Sequence, residues 1–489
     1  MSEGQGLSIG WASRDITPDR LVNLCGQFHV RISQGIQDPV MATALSISSG
    51  DDAFIWVSCD LCYVPDAVLI LCRERLKRFA PDFPSEKLII NATHTHTAPE
   101  PPNSWYPPSP PGVMTPAEYG EFLIERVAEA AAESWHTRKE GVVAWGYSHA
   151  VVAHNRRAVF FDDLSQRPGF TYVPGMKTEV TARMYGDMKD PQFSHQEGYV
   201  DHSVNILFTF DETKTLTGAI LNVPCPAQES MNQYYISADF WHDVRLELRQ
   251  RHGDKLFLLP QCAPAGDLTS VCLYSQEAEQ RMLKLKGRSP RQEIATRLLD
   301  AFDESLRWCK NDLREEVIFK HSTRTIDLPR RFILEQEYRQ ALADLATFEK
   351  PPLLPTADQA PVYHERDDCR FSRRHRCQRV IERYEEQKNI PCLPMELHAI
   401  RLGDVAFATN PFELFLDYGL RITGRSPAIQ TFLVQLAAGG IPSYLATQRA
   451  VEGGSYSACL YCNEIGPDGG QVLVEKTLAL LHSLWSEAV

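Results

Sequence analysis

Apolar residues along the first half of the chain alternate between two patterns. The run Ala53 to Val64 is almost continuously apolar, which predicts a strand buried on both faces. From Ala67 to Phe79 the apolar positions recur at helical spacing, and Leu88 to Asn91 is again a short buried strand. Pro116 to Trp135 reads as a second helix and Gly141 to Tyr147 as the next strand. This β-α-β-α-β order predicts parallel strands covered by helices. Further strands are expected at Val204 to Phe210, Leu216 to Val223 and Leu256 to Leu259. Between the last two, Phe240, Val244 and Leu248 put one apolar face on a helix from Asp239 to Arg251.

The pattern changes between about 270 and 394. Helical stretches at Gln276 to Lys286, Arg291 to Asn311, Glu335 to Phe348 and Arg376 to Gln387 alternate with proline-rich links such as Pro351 to Pro355. They predict a helical elaboration on the sheet. Six arginines between Arg366 and Arg379, accompanied by Asp367 and Asp368, read as a solvated helix face. The sheet resumes with a hairpin from Leu397 to Phe407 around Gly403-Asp404, then a strand at Thr431 to Val434 and a closing helix from Val472 to Ala488. The expected class is α/β, with mixed, largely parallel sheets covered by helices, in a single catalytic domain over 5–489 that includes the helical elaboration.

Composition narrows the function classes. The chain has 489 residues, 43% hydrophobic and 23% charged, as in ordinary globular proteins. A formal net charge of −13 disfavours nucleic acid as a partner, because phosphate binding needs a positive face. No run approaches the ~18 apolar residues of a membrane span. The N-terminus, Met-Ser-Glu-Gly-Gln-Gly, has neither the basic nor the apolar region of a signal peptide, and the chain reads as cytoplasmic. Cys59-x-x-Cys62 and Cys459-x-x-Cys462 each have the spacing of half a zinc site. Cys59 and Cys62 lie in an apolar run, so the thirteen cysteines are expected to be buried, reduced thiols.

Candidate chemistry centres on Asn91-Ala-Thr-His94-Thr-His96-Thr-Ala-Pro-Glu100. A buried strand runs into a loop with two imidazoles two residues apart, followed by a proline-rich wall. Functional groups collect beyond the carboxyl ends of strands in open α/β sheets, and neutral imidazole is the commonest metal ligand. Glu413, in Asn410-Pro-Phe-Glu413, stands between a strand and a helix, which places a carboxylate at the same sheet edge as His94.

The same segment resembles the Ala-Thr-His-Thr-His-Ser-Gly-Pro signature of the neutral, non-lysosomal ceramidases, zinc amidases that cleave N-acyl-sphingosine. Gly10-Trp-Ala-Ser-Arg-Asp-Ile-Thr-Pro18, and Gly35 to Pro39 followed by Ala42-Thr-Ala-Leu-Ser-Ile, are similar to the family's opening strands. The resemblance implies zinc held by His94, Glu413 and Tyr444, with His96 a further ligand or a catalytic neighbour. It implies that Tyr456 contacts the reacting carbonyl and that Arg156, in His154-Asn155-Arg156-Arg157, builds the site. Gly266-Asp267-Leu268-Thr269 is similar to Gly-Asp-x-Ser-Pro, which implies an orienting role for Asp267 and a hydroxyl role for Thr269.

One departure stands out. Pro226 occupies the place of the family's second zinc histidine. Replacements are sought among Cys225, Gln228, Asp239 and His242, with His195 and His202 as further substrate or metal groups. Trp105 and its proline-rich loop could line a pocket for an acyl chain or a sugar face. The reaction expected is zinc-assisted hydrolysis of an amide or ester. The alternative is the same scaffold reused for a soluble glycan or glycoside, with another metal or none.

Overall fold

The computed structural model of the chain describes residues 4–102, 106–176, 179–350, 366–438 and 443–486. The larger sheet contains β1 (Gln5–Asp15), β2 (Met41–Ser49), β3 (Asp52–Cys59), β4 (Leu88–Ala92), β5 (Lys139–His149), β6 (Ser203–Asp211), β7 (Leu216–Val223) and β8 (Phe257–Cys262). Their order is β8-β7-β6-β5-β1-β2-β3-β4, and the two-residue strand Glu316–Val317 pairs with the start of β1.

The sheet is mixed, as expected, but the expectation of largely parallel pairing is corrected. The β3–β4 and β7–β8 pairs are parallel. The five other pairs along this path are antiparallel. Connection length is the reason. A parallel neighbour needs a crossover of about a dozen residues or more. The helices α1 (Asp66–Phe79) and α3 (Phe240–His252) supply those crossovers, whereas β2–β3 and β6–β7 are joined by links too short for anything but hairpins.

Between α1 and α3 in the chain lies α2 (Pro116–His136), which starts on a capping box. Thr115 accepts from the Glu118 N–H, and the Glu118 carboxylate accepts from the Thr115 N–H. Both α1 and α2 cover β1–β4, burying Leu76, Leu123 and Val127 against Ile55, Val57 and Ile90. Further on, α4 (Gln276–Lys286) is followed by α5 (Pro290–Cys309), which covers β5–β8 together with α3 through Phe302, Leu298 and Val244 against Phe208 and Leu221.

A second sheet consists of β9 (Phe319–Pro329), β10 (Cys392–Leu402), β11 (Val405–Thr409) and β12 (Gln430–Val434) in that order, with the last pair parallel. Thus the stretch expected to be helical contains an eleven-residue strand, β9, paired along its whole length with β10. Lys320, Thr323, Arg324 and Asp327 make that strand polar, which hides its period. The segment Pro351 to Pro355 lies outside the described residues. Trp56, Ile89, Ile220, Phe407 and Phe432 pack between the two sheets, each large side chain worth about 1.5–3 kcal/mol of burial. On the far side of the second sheet lie α6 (Glu335–Thr347), α7 (Asp367–Glu386), α8 (Leu416–Thr423), α9 (Gln448–Gly453) and α10 (Pro467–Trp485).

The solvated face expected for the arginines between Arg366 and Arg379 is corrected in part, since Arg366 and Arg374 are exposed but others on α7 turn inward. Arg373, Arg376 and Arg383 are buried. Arg383 donates to the Leu460 and Asn463 carbonyls and Arg376 to the Tyr461 carbonyl, so α7 pins the loop 457–463.

Candidate active site

The loops after β4, β7, β8, β11 and β12 meet. Ala92 N–H donates to Leu436, Ala263 to Val223, Gly266 to Leu414 and Glu413 to Ser443. They carry His94, Gln228, Gly266, Glu413 and Tyr444 respectively. His94 leaves β4 at φ 64°, a conformation that costs a non-glycine residue about 1–3 kcal/mol and persists where its surroundings enforce it.

The surroundings also fix the ring. His94 Nδ1 lies 2.8 Å from the Cys62 carbonyl, which can only accept, so Nδ1 carries the proton. Nε2 then faces Glu413 Oε2 at 3.1 Å and His96 Nε2 at 3.5 Å. Either a proton on Nε2 or a metal cation in its place would satisfy this contact with the carboxylate. A tetrahedral zinc site with bonds of about 2.0–2.1 Å has ligand–ligand edges of about 3.3 Å, and the two distances bracket that value.

Burial pushes the Glu413 carboxyl up, but the charges of His94 and Arg156 and the hydrogen bonds from His94 and Tyr444 outweigh it and hold it below the usual range. Tyr444 and Tyr456 are pushed up by burial, with Glu413 reinforcing the effect on both, so both stay phenols. Two imidazoles, a carboxylate and a phenol make an N/O donor set that fits zinc.

Cys62, His94 and His96 also form a compact group, their nearest donor atoms all within 4.8 Å. His94 Nδ1, the atom nearer that thiol at 3.9 Å, is however occupied by the Cys62 carbonyl. The hydrogen bond with Cys25 and burial push the Cys62 thiol well up. Cys62 therefore orients His94 from behind.

Arg156 closes the floor. Its guanidinium donates to the Gly266 carbonyl at 2.9 Å, to the Tyr185 and Tyr444 hydroxyls at 3.3 Å and to Gln228 Oε1 at 3.4 Å. It lies 3.8 Å from Glu413 Oε2. Arg157, next in sequence, pairs with Glu197 and donates to the Gly454 and Tyr456 carbonyls, anchoring the loop that carries Tyr456. The Tyr456 ring meets Tyr444 edge-on at 5.5 Å.

Two glycines allow the close approach. A Cβ on Gly26, which has φ 102°, would lie 2.4 Å from the His96 ring. One on Gly266 would lie 2.4 Å from the Glu413 carbonyl. Arg31, fully buried, donates to the His96 carbonyl and holds that loop from below. His94, His96, Glu413 and Tyr444 line a cavity of about 160 Å³ that is also walled by Phe28, Tyr106, Leu436, Tyr456, Tyr461 and Arg376. Sequence reading missed Gly26, Arg31, Tyr185 and Arg376. All four act through chain segments distant from the His-x-His, and no local motif marks them.

Among the replacements considered for the missing histidine, Gln228 is the one that reaches the centre, with its amide nitrogen 2.9 Å from His96 Nε2. Cys225 donates to the Val152 carbonyl. Asp239 caps α3 through the Phe240 and Ser230 N–H groups. His242 sits in the first turn of α3 but faces Asp38, Asp243, Arg291 and Arg245, away from the cavity. His195 is exposed on a three-stranded outer sheet, and His202 does not line the cavity either. Asp267 orients no histidine. It accepts from Asn155 and from the Leu416 N–H, and burial raises it to about 6. Thr269 is buried in a two-residue strand paired with His154–Asn155. Trp105 lies outside the described residues.

Two solved structures share this arrangement of sheets and helices. Neutral ceramidase from Pseudomonas aeruginosa matches with a TM-score of 0.63 at 18% identity, over 99% of this chain and 76% of that one. The chain has the neutral ceramidase fold. A ceramidase complexed with C2 matches with a TM-score of 0.64 at 16% identity, over 99% of this chain and 77% of that one. No protein-family model and no curated protein matches the chain. On the ceramidase-like scaffold the His-x-His loop, Glu413 and Tyr444 line one cavity, and no helix among the described residues is long and apolar enough to cross a membrane.

Proposed function

We propose that this chain is a zinc-dependent hydrolase that cleaves an amide or ester bond in a small lipid-like substrate. The observation that carries the reading is that His94 Nε2 meets Glu413 Oε2 at 3.1 Å and His96 Nε2 at 3.5 Å, each close to one edge of a metal tetrahedron. Zinc bound there would polarise a carbonyl and activate water near neutral pH. The chain's own residues do the rest. The Cys62 carbonyl keeps His94 in the tautomer that presents Nε2. Glu413 supplies the negative charge that balances the metal. Tyr456 keeps its proton and can donate to a developing oxyanion, an interaction commonly worth about 10²–10³ in rate, while Tyr444 gives its own proton to Glu413. Arg156 steadies Glu413 and Tyr444 as one unit.

The aromatic and aliphatic wall suits an acyl chain. His195 and His202, sought as further substrate or metal groups, stand outside the cavity. The test is elemental analysis together with turnover of short-chain N-acyl amides before and after chelation. Zinc bound near one per chain, with turnover lost on chelation and restored by zinc, is the expected result. Full turnover by metal-free protein would overturn the metal role, and zinc binding without hydrolysis of any amide or ester would overturn the activity.

A further inference from the structure

The pair Cys459-Leu-Tyr-Cys462 has no part in the hydrolytic reading and differs from the chain's other Cys-x-x-Cys. In that other pair the partners diverge, since Cys59 has Cys72 as its neighbouring thiol and Cys62 has Cys25. Here the two sulfurs face each other at 3.3 Å. Cys462 Sγ also accepts from Arg376 Nη2 at 2.9 Å, and Cys459 lies 3.3 Å from the Met176 carbonyl. A sulfur facing a guanidinium on one side and a thiol on the other has the surroundings of a nucleophilic sulfur with a resolving partner. Cys462 lines the cavity, whereas Cys459 lies behind it. Arg376 joins the two settings, because its guanidinium also stacks over the Phe28 and Tyr456 rings at 5.0 and 5.4 Å.

We propose that Cys459 and Cys462 are a reversible dithiol–disulfide pair in the cavity wall, oxidised by a hydroperoxide that enters through the cavity. The Cys462 sulfur attacks one peroxide oxygen. The O–O bond breaks, and the departing alkoxide takes a proton to leave as an alcohol, or as water when the oxidant is hydrogen peroxide. Cys459 sulfur then attacks the Cys462 sulfenic sulfur. The S–O bond breaks, and the hydroxide leaves with the Cys459 proton as water. Two thiols and one hydroperoxide thus become one disulfide, one alcohol and one water. The sulfurs need to close from 3.3 Å to about 2.05 Å. A thiol reductant reverses the step by exchange. In the disulfide the Cys462 sulfur is a poorer acceptor, so Arg376 keeps the Tyr461 carbonyl but loses its sulfur contact beside Tyr456. On the hydrolytic reading, on which this consequence rests, turnover falls.

The full-length reduced protein is treated with hydrogen peroxide, its remaining thiols are blocked with N-ethylmaleimide, and intact and peptide masses are measured. The expected result is loss of both thiols at Cys459 and Cys462, no oxygen added, and return of both on treatment with dithiothreitol. Cys459→Ser, or Cys459→Ala if the serine variant does not fold, should instead leave oxygen on Cys462 with no cross-link. A link between Cys25 and Cys62 in place of this one, or stable oxygen on Cys462 in the wild-type chain, overturns the proposal. The mass measurements need no substrate, so they stand apart from any failure to find hydrolysis. Where hydrolysis is found, turnover unchanged by complete Cys459–Cys462 closure would overturn the effect assigned to Arg376.

Discussion

Glu413 Oε2 lies 3.1 Å from His94 Nε2, although 319 residues of sequence separate the two. One follows β4 of the larger sheet and the other follows β11 of the smaller, so the contact exists only when both sheets are packed. On the proposed reading Glu413 is both a metal ligand and the charge that balances the metal. Glu413→Gln keeps the shape and removes the charge. Zinc retained after dialysis should fall about 10–100-fold, the range seen when a group supporting a metal site is lost. Elemental analysis with a melting curve checks it. A variant that melts normally and keeps its zinc would remove Glu413 from the centre.

Arg156 makes four hydrogen bonds through its guanidinium, to Gly266, Gln228, Tyr185 and Tyr444. A lysine is a single point charge and cannot reproduce that fork. Arg156→Lys should lower kcat by about 10²-fold on the substrate in hand, the scale of a lost transition-state donor. The split between kcat and KM is informative. A change confined to KM would assign Arg156 to substrate binding, and wild-type kinetics would exclude it from both.

Much of this site was legible because its motifs are local. His94 and His96 follow a buried apolar run, and Glu413 stands at a strand-to-helix turn, so each could be placed at a strand end from its own neighbourhood. The strands themselves were mostly legible too, since β3, β4 and β7 are apolar almost throughout. Pairing direction was not, because it depends on connections rather than on period. The strand β9 was missed because its exposed face is charged. Of the six arginines that read as solvated, Arg373 is buried on the Pro174 carbonyl, and Arg376, with Arg383 further along the helix, on the carbonyls and sulfur of a loop about eighty residues further on. His242 illustrates the opposite error. Its helix does begin near the site, but a helix presents each residue in a direction set by its turn, and this one points to Asp38 and Asp243.

The two sheets are also tied by a pH-sensitive contact. Arg73 on α1 makes two hydrogen bonds to Glu396 on β10, at 2.6 and 2.9 Å, and His398 approaches the same carboxylate at 2.7 Å. Burial pushes Glu396 up, but hydrogen bonds from His398 and Arg73 hold it down at about 2, against an ordinary 4.5. A depressed carboxyl binds its proton less readily in the folded chain than in the unfolded one. Its contribution to stability is therefore complete above pH 4.5 and is lost as pH falls toward 2. Glu396→Gln should lower the melting temperature at neutral pH and flatten its decline over that acid window. Parallel melting curves for the two proteins across the window would refute the linkage.

The last prediction concerns the place vacated by the second histidine. Pro226 offers no donor, and the loop after β7 reaches the centre through Gln228, whose amide nitrogen lies 2.9 Å from His96 Nε2. That amide also contacts Arg156 through its oxygen. An amide satisfies its neighbours by hydrogen bonding, whereas an imidazole at the same position can ligate a metal directly. Gln228→His should therefore strengthen zinc binding, by about tenfold or more if the new ring joins the centre, since each added ligand of good geometry deepens the site. The lost contact to Arg156 opposes this only weakly, because Arg156 keeps Gly266, Tyr185 and Tyr444 as partners. Competition against a fluorescent zinc chelator measures the affinity of wild type and variant side by side. If Gln228→His binds zinc no more tightly while Glu413→Gln loses it, the metal lies on the Glu413 side of His94, out of reach of the β7 loop. If Gln228→Ala already binds more tightly, the native amide competes with the metal for His96, and the wild-type site is one in which Gln228 must move before His96 can ligate.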